Sequence, residues 1–147
     1  MKPELDRFLE VAAVHLLTRS APALAGYEQS SVMTLGMMLT AAREEAERAA
    51  ARRIEENAAL RELFSEASGV VELPALRERL TAAAQGGEES FLISDLESGN
   101  AALRQLLIEL HVAIEDQGGD AARAIERKIW SELSLSTERR KLSLGPF

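Results

Sequence analysis

Two histidines, His15 and His111, are the only imidazoles in the 147-residue chain, and cysteine is absent. Thiolate zinc sites, cysteine nucleophiles and disulfide scaffolds are therefore excluded together. Each histidine stands between apolar neighbours, Val14 and Leu16 for one, Leu110 and Val112 for the other. Carboxylate-bridged dimetal bundles carry a glutamate three residues before histidine on paired helices. Ala12 and Ile108 hold those places here. His111 and Glu115 share a helix face at i, i+4 and offer two metal ligands, but the sequence supplies no third. Neither a metal nor a cofactor is expected.

Other chemistry-bearing patterns fail on spacing. Ser20, Ser30, Ser31, Ser65 and Ser98 lie in no strand-to-helix elbow, so none reads as an activated nucleophile. Gly86-Gly87 and Gly118-Gly119 follow no strand and lack the Lys-Ser/Thr or G-x-G-x-x-G context of a phosphate loop. They read as helix breakers. Arg139-Arg140-Lys141 is a compact basic cluster, too small for independent nucleic-acid binding, which takes roughly 6–10 phosphate contacts. The formal charge of −7 points the same way. Residues 74–119 carry 3 basic and 8 acidic side chains, a local −5, so the cluster is expected to clamp on the acidic fourth helix.

These residues need elements to position them, and composition decides which kind. The chain has 24 Ala and 22 Leu against 6 Val and 6 Ile. Alanine and leucine favour helix, β-branched residues favour strands, and no stretch alternates apolar with polar. The fold class is all-α: a multi-helix bundle of about five helices in residues 1–135, with a polar tail over 136–147. No apolar run approaches the ~18–20 residues of a membrane span, and no signal-peptide pattern opens the chain. A cytoplasmic protein that contacts neither membrane nor nucleic acid is expected.

The punctuation places the helices. Pro3 suits a first helical position, and Leu5, Phe8, Leu9, Ala12 and Leu16 form its apolar stripe. That helix should stop near Arg19, before Pro22. A long second helix, about 27–68, bends near Gly36 or extends to meet another element or another chain. Met33, Met37 and Met38 near its start suit core filling or an adaptable pocket. Its second half pairs Glu44 with Arg48 and Arg52 with Glu56 at i, i+4, the pattern of a solvated face. Pro74 to about Gln85 is a third helix. Asp120 is the expected N-cap of a fifth, with Ala121, Ile125, Ile129 and Leu133 as its buried stripe.

The fourth helix, about 90–117, carries the strongest pattern. Ile93, Leu96, Asn100, Leu103, Leu107, Leu110 and Ile114 alternate steps of three and four, a heptad seam interrupted once by asparagine. Leu92, Leu106 and Ala113 widen the stripe, which suits a helix buried in a bundle. Residues 57–64 (Asn57, Ala58, Ala59, Leu60, Arg61, Glu62, Leu63, Phe64) echo residues 100–107, 43 positions later. If helices two and four pack antiparallel, Asn57 and Asn100 lie at one level and hydrogen-bond. Either asparagine is a register or partner device.

Leu16-Leu17, then Pro22-Ala23-Leu24 with Gly26, then Val32 through Leu39 to Ala42-Arg43-Glu44, resembles the N-terminal part of a small uncharacterised bacterial all-helical family. Its members are often encoded beside aminoglycoside-phosphotransferase-like kinases and acyl-CoA dehydrogenases. The likeness covers about 50 of the 147 residues. It departs at Gly36-Met37-Met38, where the family pattern has a polar residue one or two turns before Arg43-Glu44. The resemblance implies an all-helical fold and an accessory setting, and it assigns no catalytic residues. The expected function is that of a non-enzymatic helical interaction or accessory protein, self-associating as a homodimer or meeting another protein. The alternative is a bundle holding a small hydrophobic or acyl-type ligand for a neighbouring enzyme.

Overall fold

Pro74 and Gly86 bracket one helix and Gly118 separates two others, so breakers set most of the boundaries in the computed structural model, which describes residues 4–143. The elements are α1 (Leu5–His15), a π-helical turn (Leu16–Ser20), a 3₁₀ turn (Ala21–Ala23), α2 (Gly26–Ser68), α3 (Pro74–Gln85), α4 (Ile93–Gln117) and α5 (Gly119–Arg139). Among the described residues there is no strand, and the class is all-α. No helix among them is long and apolar enough to cross a membrane. Pro3 and residues 144–147 of the expected tail lie outside the described residues.

The chain divides into two units. The first comprises α1, the turns after it, α2 up to Ala49, and Leu142 with Ser143. Gly26, at φ +61°, makes the turn into α2. α1 runs back along α2: Arg43 pairs with Glu10 at 4.0 Å, and Gly36 lies against Leu17 and the Ala13 carbonyl. A Cβ on Gly36 would stand 2.6 Å from Leu17 Cγ, so this glycine is a contact point between helices. α2 is one continuous helix through it. Ser143 donates its backbone N–H and its hydroxyl to Glu44 Oε2, at 2.9 and 2.6 Å. These two bonds hold the Glu44 carboxyl at about 2, and Arg48 adds to the effect.

The second unit, Ala50–Lys141, holds the core. Contacts advance together along α2 and α4: Arg53 meets Glu97, Asn57 meets Asn100, and the Val70 carbonyl meets Gln117. The two helices are therefore parallel, so the antiparallel arrangement under which the asparagine pairing was framed does not hold. The reason is α3, which returns the chain once between them and adds a second reversal. α5 runs against α2, since Lys128 pairs with Glu66 and Ser136 with Glu56. The order is up, down, up, down.

Leu60, Leu63, Phe64 and Ala67 of α2, Leu76 and Leu80 of α3, and Ile125 and Ile129 of α5 close on the α4 seam. All seam positions from Leu96 to Ile114 are buried, while Ile93 is exposed at the helix start. Gln117 ties the α2–α3 linker. Its Nε2 donates to the Val70 carbonyl and its Oε1 accepts the Glu72 N–H, both at 3.0 Å. Asp120 makes no cap; it sits in the first turn of α5 and pairs with Arg123 at 2.7 Å. Ala122 takes the buried place expected of Ala121. α5 also continues four residues into the stretch read as tail, and Ser136 is buried.

Candidate functional site

Three seams turn polar at one level of the second unit. On α2 the buried sequence Leu63, Leu60 gives way to Asn57 and Glu56; on α4 Leu103 gives way to Asn100; on α5 Ile129 gives way to Ser136. All four polar residues are buried, Glu56 to 2% exposure. A polar group removed from water stays stable only with its hydrogen bonds made. Here they are made. Asn100 Nδ2 donates to Asn57 Oδ1 at 2.9 Å and to Glu56 Oε2 at 3.3 Å. Asn57 Nδ2 donates to Glu88 Oε1 at 3.1 Å, and Arg61 holds the same carboxylate. Glu56 Oε1 accepts from Ser136 Oγ at 3.0 Å, and Arg104 donates to that hydroxyl at 3.1 Å.

Arg140, one residue past α5, closes the cluster. Its Nε and Nη2 reach the two Glu56 oxygens at 2.9 and 2.7 Å, and Nη2 lies 3.4 Å from Asn100 Oδ1. Burial alone would push the Glu56 carboxyl up. The Arg140 and Ser136 donors, with the charges of Arg140 and Arg104, outweigh it and hold the group below its ordinary value. A carboxylate that is ionised and accepts four donors is a weak base. The arrangement suits fixing helices in register far better than moving protons.

Asn57 and Asn100 thus meet directly, in a parallel pair offset by the 43 residues of the sequence echo. The basic cluster behaves otherwise than expected. Arg139 pairs with Glu132 and Lys141 with Glu138, both on α5 itself, at 2.6 Å. Arg140 clamps on Glu56 of α2, with α4 contributing Asn100. A carboxylate stripped of water attracts a guanidinium more strongly than a solvated acidic face does. The same residue corrects the reading of the Arg52–Glu56 pair as a solvated face, since both members are buried. Sequence reasoning missed Glu56 and Ser136. The available signal was their spacing: Glu56 stands four before Leu60, and Ser136 seven after Ile129.

The methionines lie in the first unit, Met33 and Met38 exposed and Met37 half-buried, so they do not fill a core. In the second unit a groove of about 510 Å³ runs between α3 and α4. Leu73, Leu76, Ile108 and Val112 line it with Arg79, Glu109 and Asp116. Arg79 pairs with Glu109 there at 2.5 Å. Comparison of the chain with family models, with curated proteins and with solved structures gives no match.

Proposed function

We propose that this chain is a non-enzymatic helical interaction or accessory protein that self-associates through its first unit. One observation carries the reading. Among the described residues of that unit the buried apolar side chains are Ala13, Ala21 and Ala49, all small. Leu5, Phe8, Val11, Val14, Tyr27, Met33, Leu35 and Met38 stand 45–86% exposed. At 100° per residue, Val11 lies on the side of α1 opposite Ala13, and Met38 on the side of α2 opposite Gly36. Two helices have no second layer to cover such faces.

Each of those side chains offers on the order of 100 Å² to a partner. Because Val11 and Met38 face outward on opposite sides of the helix pair, one partner covers about half of the eight, on the order of 400 Å² per copy, the low end for a specific interface. A second copy is the occupant, by two-fold pairing, and two hairpins side by side give each helix a further neighbour as in a four-helix bundle. The register-fixing junction of the second unit supports the non-enzymatic part, because its carboxylate is committed to structure. Light scattering on a sizing column is expected to give twice the 16.0 kDa chain mass. Val11→Glu with Leu35→Glu gives monomer. A wild type that stays monomeric at millimolar concentration overturns the proposal.

The groove between α3 and α4 favours a second reading, a small apolar or acyl-type ligand, since its volume falls in the ordinary range for such sites. A fluorescent fatty acid that binds the wild type and loses binding in Ile108→Glu supports it; no binding removes it.

A further inference from the structure

Away from the polar junction, α4 and α5 bring His111, Glu115 and Glu126 together, one ligating atom of each within 4.8 Å of the others. His111 and Glu115 lie one turn apart on a single face of α4, and Glu126 arrives from α5. His111 Nε2 stands 3.6 Å from Glu115 Oε1, beyond hydrogen-bonding distance. That nitrogen is sealed from water and has no hydrogen-bond partner among the described residues. Native proteins avoid leaving a buried polar atom in this condition. Trp130 packs against the ring in a T-shaped arrangement, with centroids 5.3 Å apart and planes at 84°.

We propose that His111, Glu115 and Glu126 bind a divalent transition-metal ion of the zinc class. An imidazole with two carboxylates matches the donors of Zn²⁺. Hard ions such as Mg²⁺ and Ca²⁺ take all-oxygen shells of six or more, and no thiolate is present to select softer metals. Zinc bonds of about 2.0–2.2 Å place two tetrahedral ligand atoms roughly 3.4 Å apart. The His111–Glu115 pair stands near that separation at 3.6 Å, and a Glu126 oxygen lies within 4.8 Å of both. Glu115 is exposed, so water completes the shell from the solvent side. The ion replaces the missing partner of His111 and links α4 to α5. The i, i+4 pair was visible in the sequence; the third ligand depends on how α5 lies on α4.

Trp130, the one tryptophan in the chain, is a built-in reporter beside the site. Full-length protein stripped with a chelator is titrated with Zn²⁺ while Trp130 emission and thermal unfolding are followed. Co²⁺ absorption in the d–d region reports the geometry. The expected result is saturable one-to-one binding per chain, a tetrahedral Co²⁺ spectrum displaced by Zn²⁺, and a higher Tm with zinc, since the ion binds the folded chain. Glu126→Gln and His111→Gln each weaken binding by roughly tenfold or more, while His15→Gln leaves it unchanged. Glu126 is a half-buried surface residue, so its variant decides the matter should His111→Gln fail to fold. A wild type with no Zn²⁺ response up to millimolar metal overturns the proposal, as does unchanged binding in Glu126→Gln.

Discussion

Removing the Arg140 guanidinium tests whether the polar junction fixes the second unit. Arg140→Ala deletes two charge-assisted hydrogen bonds, of 2.9 and 2.7 Å, from a carboxylate only 2% exposed. Breaking a buried ion pair costs about 3–5 kcal/mol because the surviving charge is stranded. The Arg140 side chain is itself 44% exposed. Water therefore enters the vacated space, and the expected loss falls to about 2 kcal/mol, or about 4–8 °C in Tm. The pH dependence identifies the cause. Wild-type Glu56 is held below its ordinary 4.5, so its contribution is complete above that pH and is lost as the pH falls through the folded value. In Arg140→Ala the burial that had been outweighed prevails and moves the carboxyl up. The mutant deficit is therefore full near pH 7 and shrinks as acid protonates Glu56 in the mutant first. Adding Glu56→Gln to Arg140→Ala recovers part of the loss, since an amide strands no charge. Urea unfolding followed by circular dichroism measures each arm. A deficit under about 0.5 kcal/mol near pH 7, or one that stays constant down to about pH 4, refutes the reasoning.

Two further substitutions bear on helix pairing. Asn100→Leu restores an unbroken apolar seam but leaves Asn57 Oδ1 without its donor and takes one from Glu56. Urea unfolding should show a loss of about 2–3 kcal/mol in place of the gain that apolar matching alone predicts. Gly36→Ala places a methyl 2.6 Å from Leu17 Cγ, so the close approach outweighs the better helix propensity and stability falls by about 1 kcal/mol, lowering Tm. In a Leu17→Ala background the same change raises Tm; a fall in both backgrounds contradicts the contact.

The local signals in the sequence carried the helices and the α4 seam. Proline at a first helical position and glycine past the last fix α3 because each acts through its own backbone geometry. The seam from Leu96 to Ile114 was legible because its spacing is a property of one helix. What stayed hidden depends on neighbours. The stripe of α1 identified residues that favour burial, yet Leu5 and Phe8 are exposed because periodicity does not supply a covering layer. Asp120 reads as a cap only if the helix starts two residues later than it does. The direction of α4 relative to α2 follows from counting α3 as a full reversal. Glu56, four residues after Arg52, fits a surface ion pair as well as a buried one until α5 brings Arg140 over it. Glu126 is one of many acidic residues until its turn of α5 is set against His111.

The Glu56–Arg140 contact spans 84 positions of chain. Synthesis at roughly 5–20 residues per second leaves on the order of ten seconds between the emergence of the two partners. Throughout that interval α2 and α4 carry an anion at a place that would otherwise close as hydrocarbon, and water must stay there to solvate it. Until α5 docks, the Glu56 carboxylate keeps water in place of its Arg140 and Ser136 donors. Arg140, near the end of the unit, then displaces that water, so closure of the polar junction follows the packing of the apolar seam.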